Sequence, residues 1–286
     1  MPMDSAPRDP DDQLDRVLKS LQATRKYRFV CPSLVKAIAS AELAKGRSLK
    51  ETIKETKSKL HQSAAVYIRQ NLDYDHALLR LQKAVDTNQS EEDPCAHRCL
   101  DFALPLLGQF MAAHTSTFER LPLLDDFYQR IFARLPPISS VLDIACGLHP
   151  LARPWMPLAS DRPYLAFDIF ADQIEFLNRY FRVMGYEGNA TQCNVLERMH
   201  APAADLAFLL KTLPCLEQIE AGAGRRLLHA IDAPILVVSF PGHSLAGRKR
   251  GMAQHYAAYF DAITAGSGWQ VESLTFPSEE VYIVRK

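Results

Sequence analysis

Val141-Leu142-Asp143-Ile144-Ala145-Cys146-Gly147, followed by Leu148-His149-Pro150, is the stretch on which the fold turns. It is an apolar run of strand length that carries one acid and closes on a Gly. In an open α/β sheet, ligands bind beyond the carboxyl ends of the strands, where a Gly lets the backbone approach them closely. The next apolar run, Tyr164-Leu-Ala-Phe-Asp168, ends on an acid 21 residues beyond Gly147. At that spacing, Rossmann-type sites place the carboxylate that accepts hydrogen bonds from ribose hydroxyls. Asp143 is expected near the charged amino-acid end of the same ligand. A nicotinamide-type site would need Gly-x-Gly-x-x-Gly to cradle a pyrophosphate. Here there is one Gly, with Pro150 at the fourth place. S-adenosylmethionine carries no phosphate, so one Gly suffices for it.

Downstream, further runs of strand length fall at Ala190–Asn194, Asp205–Lys211 and Pro234–Phe240, with helical stretches at Asp172–Met184 and Leu216–Ala230. Alternation of this kind predicts a parallel sheet with covering helices. Trp269–Phe276 and Glu280–Arg285, joined through Pro-Ser, read as an antiparallel hairpin at its edge. The expected fold class is α/β, a Rossmann-like class I methyltransferase domain over residues 137–286.

Upstream, the texture is helical. Leu14, Val17, Leu18 and Leu21 recur at helix spacing behind an Asp-rich start. Pro32-Ser33 opens a second helix with Leu34, Val35, Ile38 and Ala41 inward, closed by Gly46. Ser48-Leu49-Lys50-Glu51 is a capping box heading a third, whose outer face carries Lys50, Lys54, Lys57 and Lys59. Further helices are expected near 75–87, 94–113 and 122–134. Residues 1–12 read as a disordered tail, 13–136 as a helical, basic region that docks on RNA, and Pro136-Pro137 as the seam.

The 286 residues carry no formal net charge, but the charge is unevenly spread. Between Arg16 and Lys83 stand 15 Lys or Arg against five Asp or Glu, so the remainder carries a matching acidic excess. A polarity of this size points to a polyanion partner for the N-terminal half. No apolar run of transmembrane length and no secretory signal is present, so a cytoplasmic protein is expected. The six cysteines lack zinc-ligand spacing and read as reduced and mostly buried, and no metal site is expected, although Cys95 and Cys99 share a helix face.

Beyond these patterns, blocks spread over nearly the whole chain resemble the aminoglycoside-resistance 16S ribosomal RNA guanine-N7 methyltransferases. They are Lys26-Tyr27 with Pro32; Lys59-Leu60-His61-Gln62 with Tyr67; His114-Thr115-Ser116-Thr117-Phe118-Glu119-Arg120; and Gly147-Leu148-His149-Pro150. Leu210 to Glu217, Ser239-Phe240-Pro241, Ser244 to Arg248 and Gly251-Met252 follow in the family's order. The resemblance implies S-adenosylmethionine as cofactor and 16S rRNA within the 30S subunit as partner, with guanine 1405 the target and aminoglycoside resistance the consequence. No protein partner is implied, and a monomer without membrane association is expected.

For the cofactor site, the resemblance implies Tyr67, His114, Thr115, Ser116 and Arg120 from the helical half, with Asp143, Ala145, Gly147, Asp168, Asn194, Val195 and Leu210 from the sheet. Arg120 would engage the methionine carboxylate, a contact that suits a planar guanidinium. Two residues depart from the family pattern: Asn194 stands where an Asp usually contacts the adenine, and His149 where an Asn is usual. An amide oxygen at 194 could still accept from the adenine amine, and a packing or hydrogen-bonding role is expected of His149.

Guanine N7 has a free lone pair, so its methylation needs no general base. Catalysis then rests on alignment of a base turned out of its stack. Lys211 and Arg248, after the fourth and fifth strands, are expected to position the target. Lys249 and Arg250 join Arg248, and Lys50, Lys54, Lys57 and Lys59, as RNA contacts. Two other readings share this sequence: a small-molecule methyltransferase with a helical lid, and a non-catalytic ribosome-binding factor.

Overall fold

The computed structural model describes residues 10–88, 96–197, 201–242 and 251–286. Arg248, Lys249, Arg250, Cys95 and the side chain of Cys99 lie outside the described residues. The chain begins with three helices, α1 (Pro10–Gln22), α2 (Pro32–Leu43) and α3 (Leu49–Ser63). Then come α4 (Tyr74–Asn88), α5 (Ala96–Met111), the short α6 (Thr115–Arg120) and α7 (Leu124–Phe132). Of the tail expected over 1–12, Pro10, Asp11 and Asp12 instead form the first turn of α1, where Pro and acids are favoured, and residues 1–9 lie outside the described residues.

The second half alternates as the apolar runs predicted. It comprises β1 (Val141–Ile144), β2 (Tyr164–Asp168), α8 (Ala171–Val183), β3 (Gly188–Gln192), β4 (Leu206–Leu210), α9 (Leu213–Ile219), α10 (Ala223–Ala230), β5 (Ile235–Pro241), α11 (Met252–Thr264), β6 (Gln270–Phe276) and β7 (Glu279–Arg285). The seven strands lie in the order β3-β2-β1-β4-β5-β7-β6. The first five are mutually parallel, and β7 runs antiparallel between β5 and β6. This is the sheet of a class I methyltransferase, with the order reversing at β1 and β4. A ligand crevice forms at that reversal.

Two apolar layers cover the sheet. Phe110, Phe127, Tyr128 and Phe176, from α5, α7 and α8, pack on one face with Tyr164 and Phe208. Leu213, Leu227 and Phe260, from α9, α10 and α11, pack on the other with Leu209, Val238 and Phe240. The first layer takes in Leu78 and Leu81 of α4, so the core does not divide at Pro136–Pro137. Helices α4, α5 and α7 share the core of the sheet, whereas α1 to α3 build a separate cluster around Val17, Leu21, Leu34, Val35, Ile38 and Leu60.

Within the N-terminal helices, the capping box forms as expected: the Glu51 amide donates to Ser48 Oγ, and the Ser48 amide donates to Glu51 Oε2 at 3.0 Å. Ala41, expected inward on α2, is exposed, while Glu42 is fully buried. The Glu42 carboxylate meets Lys45 at 2.8 Å, Lys59 at 3.0 Å and Arg47. This overturns the outward placement of Lys59, since a buried carboxylate needs cationic partners. Lys50 and Lys54 are exposed and Lys57 is half-buried.

Candidate functional site

The carboxyl ends of β1, β2 and β4 open onto a cavity that is continuous with solvent. Its position follows from the strand order, and its shape follows from unusual backbone at the strand ends. Ala145, after β1, and Lys211, after β4, hold left-handed conformations with φ of 52° and 59°, and Gly147 has φ 53°. Non-Gly residues reach this region at a cost that the surroundings must offset, and such residues collect at functional sites. A Cβ on Gly147 would lie 3.0 Å from His114 Cε1, so the absence of a side chain there lets His114 close on the turn.

Asp168 stands at the end of β2 as a fixed acceptor. Its Oδ2 accepts from the Gly147 amide at 2.8 Å, and its Oδ1 accepts from the Ile169 amide at 2.7 Å. Burial pushes this carboxyl up, and the backbone donors only partly counter it, so its pKa lies above the ordinary value. Gln173, from α8, donates to the Gly147 carbonyl at 2.9 Å and holds the turn from the other side.

Nine of the twelve expected cofactor residues line the cavity: Tyr67, His114, Ser116, Ala145, Gly147, Asp168, Asn194, Val195 and Leu210. Lys211 lines it as well. Three do not. Asp143 points into the layer beneath, where its Oδ2 binds His149 Nδ1 at 2.8 Å and accepts from the Tyr164 hydroxyl at 2.7 Å. Thr115 donates to the Tyr67 carbonyl at 3.1 Å, tying α6 to the turn after α3. Arg120 is buried away from the wall and donates twice to Glu279, yet its Nη1 has no partner among the described residues. His149 is a packed residue, edge-on to Phe208 and stacked on Tyr128.

Sequence reasoning missed part of the wall. Leu34, Ser63 and Ala64 come from the N-terminal helices and roof the cavity. Ile169, Phe170, Cys193 and Leu196 follow the ends of β2 and β3, while Thr212, Cys215, Leu216 and Ile219 belong to the turn and helix after β4. Strand-end position was the available signal for the second and third groups. Glu279 carried none, because its partner Arg120 lies on a distant helix.

Electrostatically, the wall is quiet. Removal of the His114 imidazole from water, with the Arg120 and Lys211 charges nearby, lowers its pKa to about 4, so the ring is neutral at pH 7. Its Nδ1 lies 2.9 Å from Ser116 Oγ. Burial raises the Cys215 thiol to about 11, and the thiol donates to the Tyr67 hydroxyl at 3.3 Å. Lys211 Nζ is held by Glu119 and stands 4.0 Å from Glu279.

These residues fit S-adenosylmethionine. Asp168 offers acceptors to the cavity, and a buried donor of its wall, Asn194 Nδ2, has no partner among the described residues. Buried polar groups are otherwise nearly always paired, so orphans at a cavity point to a ligand.

Comparison with known proteins agrees. Residues 23–284 match the family model described as Ribosomal RNA methyltransferase (FmrO). The chain is 34% identical to a 16S rRNA (guanine(1405)-N(7))-methyltransferase of Micromonospora echinospora, over 97% of this chain and 98% of that protein. It is 36% identical to a protein of the same description from Frankia casuarinae, over 99% and 97%. Among solved structures it resembles 16S rRNA methyltransferase RmtF in complex with S-adenosyl-L-homocysteine, with TM-score 0.75, 30% identity, and coverage of 99% of this chain and 100% of that one. The 16S rRNA methylase RmtB is similar at TM-score 0.73 and 27% identity, over 98% and 100%. With a cavity built for an adenosyl ligand on a class I sheet, and a family match over nearly its full length, the chain belongs to the ribosomal RNA methyltransferase (FmrO) family.

Proposed function

We propose that this protein methylates N7 of guanine 1405 in 16S rRNA within the 30S subunit, as a cytoplasmic monomer, and so confers aminoglycoside resistance. The observation that carries the reading is the cavity at β1, β2 and β4, roofed by the basic helical layer and bordered by Lys211. S-adenosylmethionine would supply an electrophilic sulfonium methyl. Asp168 would hold the ribose hydroxyls; Arg120, whose Nη1 has no partner among the described residues but which lies outside the wall, would have to turn inward to engage the methionine carboxylate. Val195, Leu196 and Leu210 would enclose the adenine.

Because N7 attacks through a lone pair, the site needs alignment and a dry wall rather than a base. The wall agrees with this. His114 is neutral and Cys215 is a protonated thiol at pH 7, while Lys211 is anchored by Glu119 so that its charge stays beside the cavity. Lys50, Lys54 and Lys57 on α3 would meet the rRNA backbone, and Arg248, Lys249 and Arg250, outside the described residues, would add phosphate contacts. No helix among the described residues is long and apolar enough to cross a membrane.

The test incubates the protein with 30S subunits and labelled S-adenosylmethionine and maps the methyl group by primer extension after reductive cleavage. A stop at guanine 1405 is expected. Label confined to small molecules, or none on 30S, would overturn the reading.

A further inference from the structure

Asn194 is 4% exposed, lines the cavity and follows β3. Its Oδ1 accepts from the Leu196 amide at 3.2 Å. Only the oxygen of a carboxamide can accept from an N–H, so this bond fixes which way the side chain faces. Its Nδ2 is then left with no partner among the described residues, in a wall whose neighbours Val195 and Leu196 are apolar. A buried donor in that state is costly until something accepts from it.

This reverses the polarity expected from the sequence, where the amide oxygen would accept from the adenine amine. The oxygen already takes a hydrogen bond from the backbone, while the amide's donor has none among the described residues. An adenine amine is also a donor and cannot satisfy it. The neighbouring ring nitrogen, N1, is an acceptor on the same edge of the base.

We propose that Asn194 recognises the cofactor's adenine by donating Nδ2–H to N1, instead of accepting from the exocyclic amine. The inference rests on the cofactor reading above. Asn194 is a specificity-determining residue in this role: the site reads a ring acceptor and is tolerant at the amine.

The experiment titrates the full chain calorimetrically with S-adenosylhomocysteine, with its 1-deazaadenine analogue, and with the analogue lacking the 6-amino group. A site built to hydrogen-bond a ligand atom rejects the analogue that lacks it, so the 1-deaza compound should bind roughly tenfold or more weakly while loss of the amine costs under about threefold. Asn194→Asp keeps an oxygen for the Leu196 amide and replaces the donor by an acceptor. In that variant the 1-deaza penalty should shrink and a penalty for losing the amine should appear. If the variant does not fold, Asn194→Ala closes the same cycle, and the 1-deaza penalty should shrink there too. Equal discrimination by wild type and variant, or a wild-type penalty for the amine and none for N1, overturns the proposal alone. Failure of S-adenosylhomocysteine itself to bind overturns it together with the cofactor reading.

Discussion

Arg120 and Glu279, 159 positions apart in the chain, form a two-pronged ion pair sealed from solvent, with Nε to Oε1 at 2.6 Å and Nη2 to Oε2 at 2.8 Å. The pair fastens α6 to the first residue of β7. Burial pushes the Glu279 carboxyl up, but the Arg120 and Lys211 charges and the hydrogen bonds from Arg120 and Ser239 outweigh it, and its pKa lies below the ordinary value. A carboxyl depressed on folding adds stability above its unfolded pKa and loses it as the pH falls through the folded one. Glu279→Gln leaves a buried guanidinium without a counter-charge and should cost about 3–5 kcal/mol at pH 7. Urea unfolding measures this, and a change below about 1 kcal/mol would contradict the role given to the pair.

At Gly147 the backbone is left-handed and a Cβ would meet the His114 ring at 3.0 Å. Gly147→Ala should lower stability by about 1–2 kcal/mol. The loss in S-adenosylhomocysteine affinity should be larger than the loss in stability, because His114 is displaced into the cavity. Thermal unfolding and calorimetry on the same sample separate the two effects. Unchanged affinity would detach Gly147 from ligand binding.

His114 sets a pH dependence of definite sign. Its pKa drops on folding from about 6.5 to about 4, chiefly through burial. The unfolded chain therefore binds the extra proton first, and the folded state loses stability as pH falls from about 6.5 to about 4. His114→Asn removes this contribution, while Asp168 and Glu279 titrate in both proteins. The variant's stability, measured by urea titration across that window, should fall less steeply than that of wild type. Parallel curves would show that His114 titrates alike in both states.

Neighbouring lysines of α3 should respond in opposite ways. The pair of changes Lys54→Glu and Lys57→Glu should slow methylation of 30S subunits and reduce its salt dependence, leaving S-adenosylhomocysteine affinity unchanged. Lys59→Glu instead places a second carboxylate against buried Glu42 and should cost about 2 kcal/mol of stability. Filter binding to 30S and urea unfolding distinguish these outcomes. If the double variant loses cofactor affinity equally, α3 is scaffold and not docking surface.

Most of the sheet was legible because burial on both faces makes parallel strands continuous apolar runs, as in Leu206–Leu210. Edge strand β3 was read two residues late, since Asn189 and Thr191 are solvent-facing and the run lacks that signal. The helix expected over 216–230 is two helices, α9 and α10, because Gly222 takes φ 79° at the start of the second and breaks the first. Helices near α4, α5 and α7 were expected, but a helix read from sequence does not say which surface it will meet, and the core runs across the seam placed at Pro136. Likewise the acids of β1 and β2 were found by spacing, yet alternation along β1 turned Asp143 to His149 and away from the cavity. Glu42 broke the rule that acids face water, and only its three cationic neighbours in space account for it.

The roof of the cavity is stitched to its floor by backbone. The Cys31 amide donates to the Ile169 carbonyl at 2.8 Å, the Ala171 amide to the Phe29 carbonyl at 2.9 Å, and Val30 bridges Phe170. The loop that leaves Asp168 is thus one edge of the basic helical layer. A ligand under the loop and a polyanion on the layer cannot be independent where each prefers a different setting of this seam. Their coupling is reciprocal: whatever factor nucleic acid adds to cofactor affinity, the cofactor adds to nucleic-acid affinity.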